Sequence, residues 1–201
     1  MAFKRHHFQP DSPTNNFATL NPLQKDSSIS LSEGNLKSYN SSATHSNVLS
    51  TLRADGQNIF YAECTPSIQL TGGNAGAFYW ARDNFVVQNT HPESDNSGAW
   101  GFYCSSGPSV YANGDNLFAN FDDDADEAII QLVYNSSTGE GWVGINNTFY
   151  NCQAEQGKGG GFYLGNRNHN SSFISMNLLN NKARLLTVLN VSECFGPNIS
   201  S

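Results

Sequence analysis

The run Ile129 to Tyr134, IIQLVY, is apolar on both of its alternating faces except at Gln131. In an extended chain Ile130, Leu132 and Tyr134 point one way while Ile129, Gln131 and Val133 point the other. Such a strand is poorly suited to water on either side, so it predicts the middle of a packed sheet. Behind it, Asn135 to Gly141 is dense in turn formers, and Trp142, Val143 and Ile145 resume the strand pattern. Residues 128–147 therefore predict a β-hairpin, which reads as scaffold.

The rest of the chain repeats this grammar. Ile29 to Tyr39 alternates around Glu33-Gly34-Asn35 and predicts a first hairpin. Ile59 to Cys64 is an apolar strand stopped by Pro66, and Ala77 to Trp80, Phe85 to Val87, Trp100 to Cys104 and Ser109 to Tyr111 follow it. Phe149 to Cys152, Gly161 to Leu164 and Phe173 to Leu178 complete about ten to twelve strands at spacings near a dozen residues, with no alternating helix signal. The expected fold is all-β: an antiparallel two-sheet sandwich of the jelly-roll kind over residues 29–201. Residues 1–28 read instead as an extended arm, because Pro10, Pro13 and Pro22 interrupt it and its apolar anchors Phe3, Phe8, Phe17, Leu20 and Leu23 come singly without period. That arm either lies along an edge of the sandwich or docks on a neighbouring subunit.

Charge removes one class of partner. The formal net charge of the 201 residues is −7, with Lys and Arg scattered singly, so no basic stripe exists for a phosphate backbone and nucleic acid is not expected. No apolar run approaches the roughly 18 to 20 residues of a membrane span. The start, MAFKRHHFQP, carries positive charge without a hydrophobic segment behind it, so no signal peptide is expected. The six Asn-x-Ser/Thr sequons then read as by-products of Asn and Ser richness. Cys64, Cys104, Cys152 and Cys194 are spaced by 40, 48 and 42 residues, too widely for a zinc pattern, and are expected as free thiols.

Catalytic signatures are missing from the pattern. No Ser lies in a nucleophile elbow, and none of His6, His7, His45, His91 and His169 has a second ligand or triad member at a recognised spacing. Asp122, Asp124 and Asp126 alternate like the opening of a calcium loop, but Glu127 stands where glycine is needed and Val133 where a bidentate acid is needed. They remain calcium candidates in what reads as a solvated loop, and no cofactor is expected.

Three stretches resemble a known family. Asp11 to Pro22 with Leu31 to Leu36, the aromatic-rich strand Ile59-Phe60-Tyr61-Ala62-Glu63-Cys64, and the central hairpin preceded by Asp126-Glu127 are similar to a SPRY-type, concanavalin A-like lectin sandwich of the kind found in bacteriophage structural proteins. The family's Trp is missing from the second stretch, and Gly144-Ile145-Asn146-Asn147 replaces a plain Asn-Gly in the third. The resemblance implies a binding fold without a catalytic set. It implies a virion structural protein, made in the host cytoplasm, whose partners are other capsid or tail proteins and further copies of itself. The alternative is a module binding a host-surface glycan or protein, and an enzyme degrading polysaccharide ranks last. Ligand stacking falls to Trp80, Trp100, Tyr111, Trp142 and Tyr163 as candidates, each of which competes with a core position.

Overall fold

The structure, a computed structural model, describes residues 18–42, 44–55, 59–68, 75–83, 85–87, 98–104, 109–112, 115–119, 128–151, 162–169 and 171–180. Among these there are fourteen strands and no helix. In chain order they are β1 (Leu20–Lys25), β2 (Ser30–Ser32), β3 (Lys37–Asn40), β4 (Ser46–Ala54), β5 (Ile59–Ile68), β6 (Ala75–Ala81) and β7 (Ala99–Cys104). They continue with β8 (Ser109–Ala112), β9 (Asp115–Ala119), β10 (Ile130–Asn135), β11 (Gly141–Ile145), β12 (Thr148–Asn151), β13 (Phe162–His169) and β14 (Ser171–Asn180). The first sheet has the order β1-β4-β13-β6-β7-β8-β9 and the second β12-β11-β10-β5-β14-β3-β2, with every pairing antiparallel. The expected sandwich is the fold. No helix of the described residues is long and apolar enough to cross a membrane.

The core lies where the two sheets face one another. Phe60, Ala62 and Cys64 of β5 and Ile130, Leu132 and Tyr134 of β10 pack from the second sheet against Phe78, Trp80, Trp100 and Phe102 of the first. Tyr134 is the wedge, with its ring centroid 5.9 Å from Trp80 and 6.0 Å from Trp100. A side chain at Gly141 would place its Cβ 2.5 Å from the Trp100 ring, so only glycine fits directly across from Tyr134. Cys64 and Cys104 are buried free thiols in the same core, while Cys152 and Cys194 lie outside the described residues. Burial pushes the Cys64 thiol well above its ordinary pKa, with the nearby Cys104 and Glu63 adding to the effect.

The first sheet is covered on its outer face as well. Leu49, Ala77, Tyr79, Ala81, Ala99 and Tyr111 form a second apolar layer with Phe85, and Tyr79 donates a buried hydrogen bond of 3.0 Å to Asn47 Oδ1. β6 and β7 are therefore apolar on both faces, which is why β6 reads AGAFYWA without alternation. Phe85 and Val87 belong to this covering, and residues 85–87 form no strand.

Two boundaries differ from the sequence reading. β5 runs through Pro66 to Ile68: its pairing with β10 ends at Cys64, while Thr65 to Ile68 stay paired with Ser171 to Ile174 of β14. The expected arm of residues 1–28 is shortened: β1 pairs with β4, Leu20 is 0% exposed in the core, and its N–H donates to Asn35 O at 2.9 Å. Leu20 is thus a core residue and not a docking anchor. Pro22 disguised the strand, and it is tolerated because β1 is an edge with a bulge. Leu23, on the same edge, is 91% exposed, and Phe3, Phe8 and Phe17 lie outside the described residues. Substituting Leu20→Ala should lower the unfolding free energy by about 2–5 kcal/mol in urea titrations. A midpoint equal to the parent's would show that β1 does not belong to the cooperative unit.

Candidate binding face

The outer face of the second sheet is built differently from its inner one. Because side chains alternate along a strand and partners in register share a face, two cross-strand rows are defined. One row is Glu63, Gln131, Gly144 and Phe149; the next is Tyr61, Val133 and Trp142. The first row carries the polar side chains Glu63 and Gln131, and the second is aromatic and aliphatic.

Gln131 sits at the centre of the polar row and is 1% exposed. Its Nε2 donates to Tyr61 Oη at 2.8 Å and to Asn147 Oδ1 at 2.8 Å, while its Oε1 accepts from the Asn147 backbone N–H at 2.8 Å. Tyr61 Oη in turn donates to Glu63 Oε2 at 2.6 Å, a short bond of the kind formed with an ionised acceptor. Burial, followed by that bond to Glu63, holds the Tyr61 phenol far above its ordinary pKa, so it remains a donor at every physiological pH. The network therefore fixes the Glu63 carboxylate on the face.

The β11–β12 turn supplies the other end. Asn146 and Asn147 both adopt the left-handed conformation, with φ of 47° and 68°, the geometry a two-residue hairpin turn requires. Asn146 Oδ1 accepts from the Ile129 N–H at 3.0 Å, and the Asn146 N–H donates to Ile129 O at 3.0 Å, so the turn is pinned to the start of β10. Asn147 is exposed, with its Oδ1 held by Gln131. Gly144 lies beneath the Phe149 ring: an added Cβ would stand 2.8 Å from Phe149 Cε1 and 3.0 Å from Gln131 Oε1. Tyr61 and Val133 are buried in this cluster, and Trp142 and Phe149 pack on them while half-exposed.

The five aromatic residues singled out from sequence are not brought together. Trp80 and Trp100 are 0% exposed in the inter-sheet core, and their indole N–H groups meet no acceptor among the described residues. Tyr111 is buried in the outer layer of the first sheet, and Tyr163 is half-buried beside it. Burial removes Trp80, Trp100 and Tyr111 as stacking platforms, because rings packed against both neighbours have no face to offer. Trp142 alone belongs to the face just described. Asp122, Asp124 and Asp126 lie outside the described residues, and among those described no group of three or more His, Cys, Asp or Glu gathers as a metal site.

Sequence reasoning missed Tyr61, Glu63, Gln131, Asn147 and Phe149 as a set. A signal existed in Gln131, the lone polar residue of a doubly apolar strand, and in Glu63, placed likewise in β5.

No protein-family model matches the chain, and no curated protein matches it significantly in sequence. Solved structures do match in shape. The SPRY domain of human HERC1 has a TM-score of 0.60 at 11% identity, covering 81% of this chain and 98% of that one. The carbohydrate recognition domain of Emp46p, metal-free, has a TM-score of 0.53 at 12% identity, covering 80% and 87%. Lectin I-B4 from Griffonia simplicifolia, metal-free, has a TM-score of 0.53 at 12% identity, covering 85% and 95%. The chain has the sandwich fold shared by SPRY domains and concanavalin A-like lectins.

Substituting Gly144→Ala should cost about 1–3 kcal/mol by overpacking against Phe149 and Gln131, read as a lowered urea midpoint. Stability equal to the parent's would mean that the ring is not fixed over the glycine.

Proposed function

We propose that this chain is a saccharide-binding sandwich module, acting without turnover, whose ligand lies on the outer face of the second sheet. The observation that carries this reading is the pair of half-exposed rings, Trp142 and Phe149, set beside a rigid line of amide and carboxylate groups. A sugar presents C–H groups on one face and hydroxyls at its rim. Aromatic rings receive the first, while a carboxamide donor at Asn147 and the carboxylate acceptor of Glu63 receive the second. The fold supports the reading, since two of the structures of similar shape are named a carbohydrate recognition domain and a lectin.

The setting we infer is a bacteriophage particle. The resemblance of Asp11 to Pro22 and Leu31 to Leu36 to the openings of phage structural chains supports it. In that setting the sandwich is displayed outward, the residues ahead of β1 dock on capsid or tail proteins, and copies of the chain associate with one another.

Trp142→Ala should weaken binding of a saccharide identified on a glycan array by at least about tenfold in titration calorimetry. Tyr163→Ala, which alters the opposite outer face, should leave it unchanged. The reverse pattern would move the site to the first sheet, and a peptide bound through Trp142 in place of any saccharide would replace the ligand class. For the particle setting, deletion of residues 2–17 leaves β1 intact and should abolish incorporation into virions; normal incorporation would remove the docking role.

A further inference from the structure

Resting on the saccharide reading, we infer that the ligand is a run of several consecutive sugars of a polysaccharide chain lying across the second sheet, and that Tyr39 of β3 is its far stacking platform.

The outer face continues beyond Glu63. Along β5, Tyr61, Glu63 and Ser67 share one parity, while Phe60, Ala62 and Cys64 of the other parity fill the inter-sheet core. The bulge in the β5–β14 pairing puts its extra residue on β14, between Ile174 and Asn177, so β5 keeps this alternation to its end. Ser67 pairs with Ser172 of β14, Ser172 with Tyr39 of β3, and Tyr39 with Ser30 of β2. Partners in register share a face, which puts Tyr39 on the same side of the sheet as Glu63. Burial along β3 agrees: Ser38 and Asn40 are buried, whereas Tyr39 between them is 48% exposed. Ser30 is exposed beside it, and the next residue, Leu31, packs inward on the core.

The two aromatic ends are far apart. In the sheet order β12-β11-β10-β5-β14-β3, five inter-strand steps separate Phe149 from Tyr39, about 24 Å at the usual strand spacing. An occupant touching both carries several sugar rings, because one ring covers little more than a single step. The ends also offer like chemistry. Tyr39 presents a ring with the Ser30 hydroxyl in register, just as Trp142 and Phe149 present rings beside Asn147 and Glu63. A repeating polymer shows its C–H faces and hydroxyl rims again and again along its length, so it meets both ends at once. A single terminal sugar would engage one end and leave the other idle.

The test titrates the full chain with a graded series of fragments, from the disaccharide upward, of the polysaccharide that a glycan array identifies. The parent's affinity should rise with fragment length and level off once both platforms are reached. Tyr39→Ala should lower affinity for the longest fragment by at least about fivefold and leave the disaccharide unchanged, whereas Trp142→Ala should weaken both. Tyr39→Phe, which keeps the ring, should bind the long fragment as the parent does. Circular dichroism confirms that each variant is folded. Affinity that is the same in the parent and Tyr39→Ala at every length, with loss on Trp142→Ala, would overturn the spanning ligand and leave the saccharide face standing. Loss on Tyr39→Phe equal to that on Tyr39→Ala would overturn the stacking role of Tyr39. Loss of the disaccharide on Tyr39→Ala would move the short site to β3 and overturn the span. A peptide bound in place of any saccharide, or no saccharide bound at all, would overturn the face and the span together.

Discussion

Placing a carboxamide in the buried outer face of a central strand imposes conditions on three other strands. Gln131 has two N–H donors and a carbonyl to satisfy, and an unmet member of that set would cost about 1–3 kcal/mol. Tyr61 meets one donor from β5, and Asn147 meets the other along with the carbonyl from the β11–β12 turn. Those bonds are available only in the observed register, since a slip of one residue would turn Gln131 into the core and Leu132 outward. A single polar side chain thereby fixes how β5, β10, β11 and β12 line up. It also explains the two left-handed Asn residues, one holding β10 by its backbone and the other by Gln131.

The inner face depends on a complementary fit. Tyr134 reaches between Trp80 and Trp100, and Gly141 leaves room for the Trp100 ring on the neighbouring strand. The large rings consumed by this contact are unavailable elsewhere. The first sheet spends further aromatics on its outer layer, where Tyr79 packs with Phe85 at 5.3 Å between ring centroids. The two sheets differ for that reason: the first is closed over by the chain's own Phe85 and Val87, whereas the second shows half-exposed Trp142 and Phe149 beside polar groups.

Period-2 patterning made the class of fold legible, and the alternation in IIQLVY correctly separated Ile130, Leu132 and Tyr134 from Gln131 and Val133. Strands that break the pattern were not legible. β1 contains Pro22, β9 reads DNLFA, and the end of β5 passes through Pro66, features that read as interruptions because local propensity carries no information about which edges lack partners. The site was legible only in fragments. Tyr61, Gln131 and Asn147 are separated by 70 and 16 residues, and strand pairing alone makes them neighbours. Aromatic type cannot tell a core ring from a surface ring, so Trp80 and Trp142 looked equivalent until the sheets were assembled.

Separation of the two faces has a functional corollary. The residues that hold the sandwich together, Tyr134, Trp80, Trp100 and Leu20, lie on the other side of the sheet or beyond it from Glu63, Trp142 and Phe149. On the proposed saccharide reading, exchanges at the latter three would alter what the face recognises with little effect on the core. The Gln131 network lies between these layers, belonging to the scaffold by its register and to the face by its groups. A surface organised before any ligand arrives loses little side-chain freedom on binding, so even a small contact area on such a face converts efficiently into affinity. Were copies displayed together, as in the proposed particle setting, effective concentration would multiply that affinity without any change in the face itself.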